Sequence, residues 1–402
     1  MTEPKPDRVR VRGPLSSFTD GYSEHLAGRG YLPRSVQSHL YLLAQLSRWM
    51  EGEGLNLGAL SLSVVERFVT EHRQHGYVSA VSPGKLRPLL GYLDQVGVLP
   101  GAPPVTSTEV DQLIQEFCDY LGYERGLAAG SVTLYERIAR RFLEELARPM
   151  TGSLASLSGA EVNAFVLRES ARVRPRTAET VVCALRALLR FLHVQGWIPA
   201  PLAAAVPSVP QRREGLPRAL PVGQLSVLLD SCDRETPLGC REHTMLMLLA
   251  RLGLRCGEVA GLTLDDLDWR AGELVVHGKR SRTDRLPLPC DVGEALSDYL
   301  RRGRPAGFGR TVFLRAKPPI GPLSGDGVSA VVARAAQRAG IGTIRAHRLR
   351  HSVATEMLRR GAGLVEIGQV LRHQSLEVTA VYAKVDRSAL SQLALPWPGG
   401  QS

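Results

Sequence analysis

Apolar residues recur every three or four positions through most of the chain. From Phe18 to Pro100, and again from Phe117 to Pro199, this pattern is cut by Pro or Gly into four segments. Segments of roughly 10–18 residues with that period and punctuation predict amphipathic helices. The two stretches also match each other. GRGYLPRSVQSHLYLLAQLSRWM from Gly28 parallels YERGLAAGSVTLYERIARRFLEEL from Tyr123, and Val65, Phe68 and Val69 answer Val162, Phe165 and Val166. LRPLLGYLDQVGVLP from Leu86 and LRALLRFLHVQGWIP from Leu185 share seven of fifteen residues. Two tandem copies of a four-helix unit are the expectation.

Beyond the repeat the pattern changes. Ala200 to Pro221 carries Pro201, Pro207, Pro210, Pro217 and Pro221, a density that disfavours helix and sheet and marks a linker. Helical periods return over Val222–Leu229, His243–Leu252, Val328–Ala339 and Leu364–Leu371. Gly272 to Pro289 switches to a period of two, ELVVHGK and DRLPLP around a turn at Arg280 to Thr283, which predicts a β-hairpin. Val312 to Leu314 is expected to add a strand. The organisation expected is a basic arm (1–14), a first helical domain (15–102), a second (108–205), a linker (206–221), an α+β domain with a small antiparallel sheet (222–395) and a tail (396–402).

Charge narrows the partner. The 402 residues carry a formal net charge of +11, with a pI of about 9.7. A polyanion, nucleic acid ahead of a membrane surface, fits such a balance. Arginine-rich codon usage gives the same excess, and only Lys5, Lys85, Lys279, Lys317 and Lys384 are lysines, so each lysine position gains weight. The six cysteines form no CxxC pair and no zinc-ligand spacing, and are expected as buried reduced thiols. No apolar run approaches the ~18 residues of a membrane span. The first thirty residues hold no signal-peptide core. A cytoplasmic protein without metal or other cofactor is expected.

The chemistry gathers near the C-terminus. Thr343 to Asp386 contains His347, Arg350, His373 and Tyr382. His347 and Arg350 are three apart on a helix whose buried stripe is Val353, Ala354, Met357 and Leu358, so they share a face. His373 follows the end of the Leu364–Leu371 helix, and Tyr382 lies in a third short helical segment. A guanidinium grips two phosphate oxygens through its planar fork. Imidazoles donate to a phosphate or move protons. A tyrosine hydroxyl attacks phosphorus once the phosphate is neutralised. The set suggests attack on a phosphodiester.

HRLRHSVAT, LRHQS and VYAKV resemble, in order and spacing, the C-terminal signature of the tyrosine recombinase (phage integrase) family. The resemblance covers about Phe117 to Asp386. It implies a SAM-like core-binding bundle, then a catalytic domain like those of tyrosine recombinases and type IB topoisomerases. With the repeat, the fold expected is mainly α with two tandem SAM-like bundles. The first is a departure from the family's usual layout and is either a duplicated DNA-binding module or a protein-contact module. RLGLRCGEV resembles the segment that carries the family's first catalytic arginine, here Arg255, with Glu258 in support. VVHGKRSRTDRLPL resembles the hairpin whose lysine is the general acid, here Lys279, with Arg280 and Arg282 beside it on phosphates. The implied roles follow. Tyr382 forms a 3′-phosphotyrosyl bond, Lys279 protonates the 5′-oxygen and His347 takes the tyrosine proton. His373 donates to a non-bridging oxygen, while Arg255 and Arg350 clamp. His351 is implied as structural.

The second bundle is implied to cover duplex DNA, with Arg125, Arg140, Arg141, Arg176 and Arg186 as candidate contacts. Four protomers on two sites, a Holliday junction, and an accessory DNA-bending protein or partner recombinase belong to the same implication. A mobile element is the expected context. A type IB topoisomerase-like enzyme and a catalytically silent DNA-binding protein on the same fold are the alternatives. This chain departs from the family where Arg372 precedes His373, a place usually held by Gly. It departs again at Arg280, Ser281 and Arg282, where the family often has a lysine and a glycine.

Overall fold

The computed structural model describes residues 9–74, 83–99, 108–146, 154–173, 175–208, 219–278 and 282–373, together with Thr379 and Tyr382. Among these residues the first repeat unit forms α1 (Thr19–Gly28), α2 (Pro33–Gly52), α3 (Leu62–Gln74) and α4 (Pro83–Gln95). Pro33 opens α2, where a missing N–H costs nothing. Val36, Leu43, Leu46 and Met50 lie on one face of α2 and meet Val65 and Phe68 of α3 and Leu86, Leu89 and Leu93 of α4. The second unit forms α5 (Glu109–Asp119), α6 (Ala129–Glu145), α7 (Gly159–Arg172) and α8 (Pro175–Val194). Thr108 with Asp111, and Ser158 with Glu161, close reciprocal caps at the starts of α5 and α7. Both halves of the sequence match point inward, since Val65, Phe68 and Val69 are as buried as Val162, Phe165 and Val166.

Pro103–Gly215, which holds the second bundle, is one compact unit, and Met1–Ala102 clusters with Leu216–Ser402 as the other. The first bundle therefore does not stand apart from the C-terminal part. Ile320 N–H donates to Arg29 O at 2.8 Å. Gly30, at φ +82°, lies so close to Ile320 that a Cβ would collide with it.

The C-terminal part holds α9 (Gln224–Asp230), α10 (Pro237–Arg251), α11 (Cys256–Gly261), β1 (Leu267–Asp268), β2 (Glu273–His277), β3 (Thr283–Pro287), α12 (Cys290–Asp298), α13 (Gly325–Arg338), α14 (Ala346–Arg359) and α15 (Leu364–Val370). The strands make an antiparallel sheet in the order β1-β2-β3. Leu274 and Val276 alternate inward from β2, as period two requires. Helix α10 is buried on nearly every side, and its Glu242 is clasped by Arg334 and Arg338 of α13.

Several expectations need correction. Val312 to Leu314 forms no strand: Thr311 and Leu314 make isolated bridges to Thr263 and Pro322, and the third strand is Leu267–Asp268. Proline density did not keep Ala200 to Pro221 free of helix, because Leu202–Ala204 makes a 3-10 turn. The cysteines are not all buried, since Cys183 and Cys290 are exposed. Lys279, Arg280, and most of the linker and tail lie outside the described residues.

Candidate active site

The site is assembled where helices end. Helix α10 terminates at Gly253, whose φ is +59° and whose Cβ position lies 2.6 Å from Leu371 Cδ2, so only glycine fits. Two residues on, Arg255 caps α11. Glu258 accepts the Arg255 backbone N–H at 2.8 Å and its Nη1 at 2.6 Å, which aims the guanidinium. Arg255 Nη2 reaches the carbonyl of Arg372 at 3.3 Å. Burial pushes the Glu258 carboxyl up, but the Arg255 amide and the Arg372 and Arg255 cations outweigh it and hold it below the usual value.

Arg350, on the first turns of α14, is the largest fully buried side chain among the described residues. Its guanidinium donates to Gly253 O and Leu371 O, the carbonyls just past the ends of α10 and α15. Those carbonyls lack helical partners and carry the negative end of the helix dipoles. Burial, reinforced by Arg255 and Arg372, lowers Arg350 to about 10, so it remains a cation at neutral pH.

His373 follows α15, and its Nδ1 lies 2.7 Å from Thr379 Oγ1. Burial first, then Arg350 and Arg255, pushes His373 down to about 4. It is therefore neutral at pH 7. The His373 and Tyr382 rings are parallel, with centroids 6.3 Å apart. Tyr382 is 2% exposed. Its hydroxyl meets His351 Nδ1 at 2.8 Å, and the His347 ring lies edge-on to His351 with centroids 4.4 Å apart. Burial raises the Tyr382 phenol and Arg350 pulls it partly back, so the hydroxyl keeps its proton. A cleft of about 550 Å³, lined by Arg255, Gly257, Asp326, Arg345, His347 and Arg350, opens beside these groups.

Of the expected set, Arg255, Glu258, His347, Arg350, His373 and Tyr382 come together. Two further residues join them. His351, implied above as structural, sits one helical turn after His347 and meets the Tyr382 hydroxyl. Arg372 adopts φ +54° and donates from Nη2 to Glu258 Oε2 at 2.8 Å. Its signal was the missing glycine.

Some of the expected DNA-contacting arginines are already engaged within the second bundle. Arg140 pairs with Asp111 at 2.5 Å, and Arg141 pairs with Glu169. Arg186 turns inward to Val206 O at 2.8 Å, while Arg125 is exposed beside the Tyr120 hydroxyl. Arg282 is half exposed and meets Asp284 at 3.0 Å. Nothing is described for the side chain of Arg176. Among the described residues no three His, Cys, Asp or Glu gather as metal ligands, and no helix is long and apolar enough to cross a membrane.

Two guanidiniums and His347 at the cleft, with His351, His373 and a buried phenol packed behind them, suit phosphodiester transesterification. Comparison with known proteins fits that class. Residues 218–388 match the phage integrase family, and residues 114–196 match phage integrase, N-terminal SAM-like domain. The protein y4rA of Sinorhizobium fredii, named as an integrase/recombinase, is 40% identical over 393 residues, 96% of this chain and 95% of the relative. Tyrosine recombinase XerD of Mycobacterium tuberculosis is 33% identical over 305 residues, 71% of this chain and 96% of the relative. XerH site-specific recombinase, solved on a palindromic difH substrate as a post-cleavage complex, matches 96% of this chain and 97% of its own at 17% identity, with a TM-score of 0.55. A lambda integrase (75–356) dimer bound to a COC′ core site matches 67% and 94% at 17% identity, with a TM-score of 0.53. These two structures share the fold. The chain belongs to the phage integrase family of tyrosine recombinases, enzymes that cleave and rejoin DNA.

Proposed function

We propose that the chain is a site-specific recombinase of a mobile element, cutting duplex DNA through a 3′-phosphotyrosyl bond at Tyr382. The observation that carries the reading is the Tyr382 hydroxyl beside His351 and His373, in the field of the Arg350 guanidinium. The scissile phosphate enters the cleft between Arg255 and Arg350. Both cations, with the neutral His373, stabilise the charge that spreads over its equatorial oxygens. Tyr382 Oη attacks phosphorus and its proton passes to His351, with His347 next in line. The P–O5′ bond breaks, and Lys279 protonates the departing oxygen. Attack by another strand's 5′-hydroxyl reverses the step, so the bond energy is kept and no nucleotide cofactor is needed.

The buried phenol cannot touch a duplex as it stands. DNA binding must therefore open the pocket at Tyr382. Strand exchange calls for four protomers on two sites. A DNA-bending protein or a partner recombinase is the accessory factor of this reading, and the bacterial cytoplasm is its compartment. Arg282, the exposed Arg125 and the +11 net charge support phosphate binding that weakens with salt.

A nicked duplex carrying the DNA that flanks the gene tests the reading, because the short 5′-hydroxyl strand diffuses away and traps the adduct. Wild type should form a covalent 3′ adduct and, given a second site, exchange strands. Tyr382→Phe should bind DNA equally well and form no adduct. An undiminished adduct would reassign the nucleophile. Adduct without exchange points to a topoisomerase, and binding without adduct to a silent DNA-binding protein.

A further inference from the structure

We infer that Arg372 is a positioning residue for the cleavage step: its buried charge offsets that of Glu258, so that the Arg255 guanidinium meets a phosphate with more of its own charge. The inference rests on the role proposed above for Arg255 as a phosphate clamp. One carboxylate serves both arginines. Glu258 Oε1 accepts from Arg255 Nη1 at 2.6 Å, and Oε2 accepts from the Arg255 backbone N–H and from Arg372 Nη2, each at 2.8 Å. Among the described residues neither arginine is paired with another carboxylate.

The consequence follows from counting charges. With the glycine that the family usually holds at this place, Arg255 and Glu258 would cancel. With arginine there, two guanidiniums share one carboxylate and a net positive charge is left over. Arg372 cannot bring that surplus to DNA itself, because its side chain is 4% exposed and does not line the cleft. Glu258 is as enclosed, at 6%, whereas Arg255 is 41% exposed and faces the opening. A buried charge is screened far less than one in water, so Arg372 acts across the carboxylate.

Two further observations agree. Burial lowers Arg350 first, then Arg255 and Arg372, so the Arg372 charge is felt at the other arm of the clamp. The Arg372 carbonyl accepts Arg255 Nη2 at 3.3 Å. That bond belongs to the backbone and outlasts a change of side chain. Substitution at 372 can therefore remove the charge while Arg255 keeps its aim.

Two nicked duplexes carrying the flanking DNA test this, one with the natural scissile phosphodiester and one with a methylphosphonate, in which a methyl group replaces a charged oxygen. The readout is the second-order rate of adduct formation, relative to wild type on the same duplex. Arg255→Ala should lose roughly 100- to 1,000-fold on the phosphodiester. Arg372→Gln, which can still donate to Glu258 but brings no charge, should lose roughly 10-fold there, since it acts at one remove. Coulomb energy is linear in charge, and the methyl group takes the transition state from about two negative charges to about one, so on the methylphosphonate that loss should narrow to roughly 3-fold. Arg372→Lys keeps the charge and should stay within roughly 3-fold of wild type on the phosphodiester. If wild type forms no adduct, or Arg255→Ala is as fast as wild type, the clamp reading fails and the inference with it. If Arg255→Ala is slow while Arg372→Gln matches wild type, or loses equally on both duplexes as a merely disturbed fold would, the inference alone is overturned. Should Arg372→Gln unfold, Arg372→Gly suits the positive φ and gives the same comparison.

Discussion

Replacing Arg372 by alanine and by glycine separates two effects that the natural side chain combines. Among the described residues Arg372 is the only non-glycine residue with positive φ, at +54°. A left-handed backbone costs an L-residue about 1–2 kcal/mol. Against this stands its ion pair with Glu258 at 2.8 Å, the two side chains being 4% and 6% exposed. Removing one partner of a buried pair costs about 3–5 kcal/mol when the other charge is left alone. Glu258 is not left alone, because Arg255 still donates to it from its backbone N–H and Nη1. The expected loss for Arg372→Ala is therefore at the low end, about 3 kcal/mol. Glycine loses the same pair but relieves the left-handed strain, and returns about 0.5–1 kcal/mol of that relief through its freer unfolded chain. Arg372→Gly should thus be less destabilised than Arg372→Ala by about 1 kcal/mol.

Hydrogen exchange at the amides of α11 reads this locally. At about 1.4 kcal/mol per tenfold, they should exchange roughly 140-fold faster in the alanine variant and roughly 25-fold faster in the glycine variant. Wild-type protection in Arg372→Ala would show that the ion pair contributes nothing. Glycine exchanging as fast as alanine would show that the backbone is unstrained.

Two more outcomes follow from the site. His373 has a folded value of about 4 against an ordinary 6.5, so its neutral form belongs to the fold. The stability it contributes is whole above 6.5 and is lost as pH falls from there toward 4. An NMR titration should find it neutral at pH 5.5, and Arg255→Ala should move it upward; titration near 6.5 would refute the assignment. Gly253→Ala meets both a left-handed φ and Leu371, at a cost of about 2–3 kcal/mol. Its melting temperature and adduct rate should both fall, whereas Gly261→Ala, with open space at its Cβ, should change neither. Equal melting of Gly253→Ala and wild type would sink the argument that only glycine fits there.

What could be read in the chain and what could not divides on distance. Helices α1 to α8 follow from the 3.6 period and the hairpin from the period of two, because those patterns are local. His351 was legible as well, one turn from His347 on the same helix face. The partners of Arg372 and Arg350 were not. Glu258 lies 114 residues before Arg372, and Gly253 lies 97 before Arg350, separations that no periodicity encodes. The arginines of the second bundle show the converse. Arg140 and Arg141 look like free cations until Asp111 and Glu169, distant in sequence, fold against them.

The junction after α15 explains how the two arginines differ. Leu371 O receives Arg350, Arg372 O receives Arg255, and the next residue, His373, stacks on Tyr382. A helix end needs donors for its last carbonyls, and here the clamp itself supplies them. A carbonyl orients a guanidinium without cancelling its charge, whereas a carboxylate does both. Arg350 has carbonyls for its hydrogen-bond partners, while Arg255 is paired with Glu258. In the reaction proposed above, Arg350 would therefore bring nearly its whole charge to a phosphate, and Arg255 less charge with a firmer aim. His373 is held in turn by Thr379, whose Oγ1 lies 2.7 Å from its Nδ1.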